Sequence, residues 1–163
     1  MAQRRPTTAV SDPGQAVLGI GVLAGFVGYA LRRAQLSVFE AFASALAEFD
    51  LRPGDFGVLI VIDSNQALRS IDVCTLLGIQ KTNFVILIGR LEERGLVARV
   101  ADRKDRRAQM LQLTVAGKRL LQRALKAHAK LERRFEALLG AEQMQLFVNQ
   151  CNQLAQLHRN AVA

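Results

Sequence analysis

The sequence predicts a mainly α-helical fold carrying a small two-stranded hairpin (α+β), a winged helix-turn-helix. Three observations carry this. Two short helical segments meet at Gly78. Two alternating apolar segments, "LVARV" and "QMLQL", bracket a loop crowded with Arg103, Lys104, Arg106 and Arg107. The 163 residues also carry a formal net charge of +8, with a sequence pI near 10.5. A chain of this length forms one domain, or one domain with an extension, and half of it is hydrophobic, enough for a core. The basic excess points to a polyanionic partner, either nucleic acid or an anionic membrane surface.

Residues 1–14 hold two prolines, two threonines and two arginines without periodicity, and read as a disordered arm. From about Gln15 to Phe49 a single long helix is expected. Its first part, Ala16–Leu31, is an uncharged run of 16 residues with four glycines. A spanning helix needs about 20 apolar residues, whereas a signal-peptide core has about this length. A membrane-associated basic protein anchored by residues 16–31 is therefore the alternative from another functional class. Against it, Leu31, Val38, Phe42, Ala45 and Phe49 continue a helical stripe past Arg32 and Arg33, which favours a buried first helix and no membrane partner.

"DLRPGDF" breaks that helix. Pro53 suits the first turn of the next one, roughly Pro53–Ser64, and Asp55 complements its positive end. Ser70 is a good N-cap for a short helix, Ile71–Leu77, and Gly78 ends it. The next helix, Lys81–Arg94, buries Phe84, Leu87, Ile88 and Leu91 at i, i+3, i+4 and i+7 and stops at Gly95. Two helices joined by a tight glycine-containing turn match a helix-turn-helix, and the following hairpin is its wing. A basic helix over Val115–Leu139, Gly140 and a last helix to about Asn160 complete the chain.

Catalytic and metal chemistry find no residue set. Cys74 and Cys151 lie far apart, His128 and His158 are each isolated, and no phosphate loop or nucleophile motif occurs. No cofactor, no metal site and no enzymatic activity are expected, and two cysteines without a disulfide framework suit a reducing cytoplasm. DNA chemistry is better supplied. The start of a second helix-turn-helix helix lies near base edges. Asn83 is suited to adenine N6 and N7, Lys81 to guanine or a phosphate, and Thr82 to a phosphate or a thymine methyl. Arg90 remains on the outside of this helix. Arg103, Lys104, Arg106 and Arg107 suit the negative potential of a narrow minor groove, although Arg99 and Arg107, at the strand ends, also suit structural pairs.

The segments "LEERGLV", the wing pattern D-x-[RK]-D-x-R and the "LT-x-x-G" before the basic helix resemble those of the MarR family of winged-helix transcriptional regulators, over about residues 18–158. The resemblance implies a homodimer in which residues 15–50 and 115–160 intertwine as a helical dimerisation region around a DNA-binding region, 51–114. It also implies a repressor of a pseudo-palindromic operator on double-stranded DNA, released by a small-molecule effector such as an aromatic acid, a phenolic, an acyl-CoA or an oxidant. Its recognition helix falls on Lys81–Arg94 and its wing on Asp102–Arg107. Two departures stand out: Lys104 replaces the usual wing arginine, and Val85 and Ile86 stand where many relatives carry polar residues.

For the effector, Tyr29, Arg32, Arg33 and Phe56 are the candidates: aromatic rings to stack on a ring, and arginines to hold a carboxylate or CoA phosphate. The plainer reading puts Phe56 in the core and pairs the arginines with Glu40 or Glu48. Thiol-based redox sensing is a further alternative, but it needs an exposed, acidified thiolate, and neither cysteine sits at the first-helix position of peroxide-sensing relatives.

Overall fold

The computed structural model describes residues 19–65, 68–101 and 109–157; the arm, residues 102–108 of the wing and the last residues lie outside the described part. The chain divides into two units, residues 1–38 and 39–163.

In the first unit the expected continuous helix does not form. Gly21–Gly25 is a 3₁₀ turn, Phe26 is extended at φ −90° and ψ 125°, and only then does helix α1, Val27–Ala45, begin. Gly19, Gly21 and Gly25 explain the break, because glycine weakens a helix interior and Gly21 takes a positive φ of 55°. α1 also ends earlier than expected, and a second 3₁₀ turn, Ala47–Phe49, closes on Asp50 in the left-handed region. Among the described residues no single helix is long and apolar enough to cross a membrane.

The second unit is built around α2, Pro53–Asp63, which buries Phe56, Val58, Leu59 and Ile62. Pro53 occupies its first turn, and the Asp55 carboxylate accepts the Arg52 N–H at 3.0 Å, satisfying one of the donors that every helix start leaves open. α3, Ser70–Leu77, starts one residue earlier than the Ser70 cap would place it. The capping position is Arg69, whose N–H donates to the Asp72 carboxylate at 2.9 Å. An acid three residues inside the helix, rather than a serine at its border, fixes this end.

Gly78 ends α3 at φ 64°, and α4, Lys81–Glu93, follows at a bend of 115°. α4 buries Phe84, Ile88 and Leu91, as its spacing predicts. Gly95, at φ 65°, turns the chain into β1, Val97–Ala101, which pairs antiparallel with β2, Gln109–Leu113, in the register Val97↔Leu113 and Arg99↔Leu111. The segment before α3 contributes more than a connection. Leu68 forms an isolated bridge to Leu111, whose N–H donates to the Leu68 carbonyl at 2.8 Å.

The "LT-x-x-G" motif has a local cause. Thr114 caps α5, Val115–Leu139: its hydroxyl oxygen accepts the Gly117 N–H at 3.0 Å and the hydroxyl donates to the Gly95 carbonyl at 2.6 Å. A Cβ at Gly117 would lie 2.0 Å from the Leu96 carbonyl oxygen. Only glycine lets the start of α5 sit against the strand entry. The core then gathers Phe42, Leu46 and Phe49 with Phe84, Leu111, Leu121 and Leu131. α6, Ala141–Ala155, buries none of its residues within the chain.

Candidate nucleic-acid interface

Lys81, Thr82 and Asn83 form the first turn of α4, and all three are exposed. The preceding Gln80 is extended and provides no side-chain cap. The opening N–H groups of α4 are thus free of a capping side chain, and helix starts of this kind favour phosphate. The order of elements brings the sequence-predicted trio together on one helix end.

Arg90 is placed differently from the sequence expectation. Its guanidinium Nη2 donates to Asp55 Oδ1, and Asp55 is only 1% exposed. The buried carboxylate takes the cation out of the set facing outward. The helical spacing of Arg90 is compatible with the outside, but the partner 35 residues earlier in the chain is invisible to periodicity. Arg94, next along α4, donates to the carbonyls of Asp50 at 2.6 Å and Phe49 at 2.8 Å. Two arginines therefore bind α4 and its end, one to the first turn of α2 and the other to the corner before it.

The wing root is held by a further pair. Arg99 Nε donates to Glu92 Oε1 at 2.8 Å, and Arg99 Nη1 to the Ser70 hydroxyl at 3.5 Å. This joins β1 to α4 and α3, as the structural reading of Arg99 anticipates, and gives the Ser70 side chain a role other than capping. Arg103, Lys104, Arg106 and Arg107 lie outside the described residues.

Of the effector candidates, Tyr29 is half-buried and Arg32 and Arg33 are exposed, all in the first unit. Phe56 belongs to the second and is a core residue, 5% exposed, with its ring 5.6 Å from Phe42 and 5.0 Å from His128. It lies too deep in that aromatic cluster to be an open stacking surface. His128, part of the cluster and 3.5 Å from Glu132, is a residue the sequence does not single out. Glu48 pairs with Arg123 of α5 at 3.1 Å, and the Arg123 guanidinium also sits over the Phe49 ring at 5.2 Å. The remaining basic residues of α5, among them Lys126, Lys130 and Arg134, are exposed.

A helix-turn-helix with an exposed, uncapped second helix and a hairpin rooted against it defines a winged-helix DNA-binding protein. The sequence model of the MarR family matches residues 49–108. A transcriptional regulatory protein assigned to the hcr operon of Thauera aromatica is 31% identical over 86% of this chain and 84% of its own length. Among solved structures, the transcriptional repressor CouR bound to a 23-mer DNA duplex superimposes with a TM-score of 0.82, at 38% identity, over 86% of this chain and 99% of that one. CouR bound to p-coumaroyl-CoA gives 0.80 at 36% identity, with the same coverage of both chains. The chain belongs to the MarR family of winged-helix transcriptional regulators, and it is a DNA-binding regulator.

Proposed function

We propose that the protein is a homodimeric repressor that holds a pseudo-palindromic operator through α4 and the wing and releases it on binding an aromatic acyl-CoA thioester. The observation that carries this reading is the likeness, at 36–38% identity across nearly the whole partner chain, to a repressor seen both on DNA and with p-coumaroyl-CoA. Lys81, Thr82 and Asn83 supply the major-groove contacts, and Arg103, Lys104, Arg106 and Arg107 the wing contacts. Arg90 acts through Asp55, positioning α4 rather than touching DNA.

Dimerisation is supported by apolar surface left open by the chain. Leu138 is 80% exposed, and Leu146, Phe147, Val148 and Leu154 of α6 are exposed with it. Large apolar side chains left open in this number on one helix mark an interaction site. For the effector, the exposed Arg32 and Arg33 are suited to CoA phosphates, with Tyr29 beside them in sequence.

The test is fluorescence anisotropy on a duplex selected by the full-length protein from a random library. An aromatic acyl-CoA should release the duplex at concentrations where the free acid and CoA alone leave it bound. Arg32→Ala and Arg33→Ala should need more thioester for the same release. Release by the free acid as readily as by its thioester would contradict the assignment of the effector.

A further inference from the structure

The outward face of α4 is apolar. At 100° per residue, Thr82, Val85, Ile86 and Gly89 fall within about 100° of arc, opposite Phe84, Ile88 and Leu91. Val85 is 65% exposed and Ile86 75% exposed. Neither is needed by the core of the unit, and both lie one turn beyond the polar trio. Gly89, a turn further on, is equally unexplained from within. A Cβ there would meet nothing within 4 Å among the described residues, so no packing among them demands a residue that weakens a helix interior. The strip ends in a flat patch open to whatever lies against the helix.

We propose that Val85 and Ile86 read the 5-methyl groups of thymines, so that each operator half-site presents thymine where the second turn of α4 meets the major groove. This rests on the DNA-binding reading above. Base edges in the major groove offer hydrogen-bond donors and acceptors, and one apolar group, the thymine methyl. Branched aliphatic side chains have nothing to give the former and fit the latter. Charge settles the occupant in favour of DNA over an apolar protein partner. The strip begins beside Lys81 and the uncapped helix start, the segment joining β1 to β2 carries four cations among residues 102–108, and the whole chain is at +8. Gly89 lets the helix backbone come close to the groove without a side chain intervening.

The experiment replaces thymine by deoxyuridine, one position at a time, in the duplex selected by the full-length protein. Deoxyuridine keeps the base pair and removes only the methyl. At one or two thymines per half-site the affinity should fall about fourfold for each buried methyl lost. Ile86→Ala or Val85→Ala should bind the thymine duplex more weakly and no longer distinguish it from the deoxyuridine duplex. Both positions are exposed, so thermal unfolding of these variants should match the unsubstituted protein. Wild-type affinity unchanged by every deoxyuridine replacement would overturn the inference while leaving operator binding intact. Selection of no duplex at all would overturn the DNA-binding reading itself, and this inference with it.

Discussion

Arg90, in the third turn of α4, is bound to the carboxylate of Asp55, buried in the first turn of α2. The same carboxylate accepts the Arg52 N–H, so one group fixes both the start of α2 and the setting of α4. Removing one member of a buried pair leaves the other charge uncompensated. Arg90→Ala should therefore lower folding stability by about 2–4 kcal/mol, below the upper range for such pairs because Arg90 is partly exposed. Urea unfolding measures this. Asp55→Leu combined with Arg90→Met should recover only part of the loss, since matched apolar replacements remove the stranded charge but leave the Arg52 N–H without its acceptor. An Arg90→Ala protein as stable as the parent would show that the pair contributes nothing.

The close approach at Gly117 yields a second expectation. A methyl group directed at the Leu96 carbonyl has no flexible side chain to displace, and the backbone itself must move. Gly117→Ala should cost at least the ~1–3 kcal/mol typical of overpacking. Thr114→Ala, which removes the cap hydroxyl, should cost about 1 kcal/mol. Thermal unfolding that ranks Thr114→Ala as the more damaging of the two would contradict the steric explanation of the motif.

Asn83 and Lys81 should separate in their effects on DNA. Loss of a bidentate base contact costs about 1–3 kcal/mol and relaxes specificity at one position. Asn83→Ala should thus weaken binding to the selected duplex much more than to a scrambled one. Lys81→Ala should weaken both about equally and make the salt dependence shallower by about one phosphate contact. Equal losses on both duplexes for Asn83→Ala would reduce Asn83 to a surface residue.

The start of α3 has a pH signature. Arg69 Nε and Nη2 each lie 3.2 Å from an Asp72 carboxylate oxygen. The side-chain hydrogen bonds from Arg69, then its backbone N–H, hold the Asp72 carboxyl below its ordinary 3.8, while the Arg69 guanidinium is raised in turn. Because the folded value is depressed, the stabilisation is present above the unfolded value of about 3.8 and fades as pH falls through the lower folded one. Carboxyl NMR titration should give Asp72 a midpoint below 3.8, moved upward but not fully restored in Arg69→Ala, where the backbone donor remains. A midpoint at 3.8 or above in the parent protein would rule the restraint out.

Much of this architecture is legible in the chain itself, and what is not legible has identifiable physical causes. The spacing of Phe84, Leu87, Ile88 and Leu91 marks the buried side of α4, and Gly78 and Gly95 mark the ends of α3 and α4, because helix period and left-handed turns are local properties. Long-range partners are not. Nothing around Arg90 signals a carboxylate at position 55, and nothing around Leu68 signals the bridge to Leu111. The break in the first helix is written in the glycines that precede Val27, but the apolar stripe beyond them argues for continuity. Ser70 looked like a cap because serine is a good one, whereas Asp72 performs the task and leaves the Ser70 hydroxyl to Arg99. Phe56 carried the right chemistry for a ligand ring and turned out to be enclosed by Phe42 and His128.

The central claim is that α4 and the wing grip DNA through its phosphates as well as its bases. The most direct measurement is the affinity of the full-length protein for its selected duplex at a series of salt concentrations. If each dimer neutralises roughly 6–10 phosphates, affinity should fall about 10³–10⁵-fold between 50 and 200 mM salt. An affinity that stays flat across that range would contradict the claim.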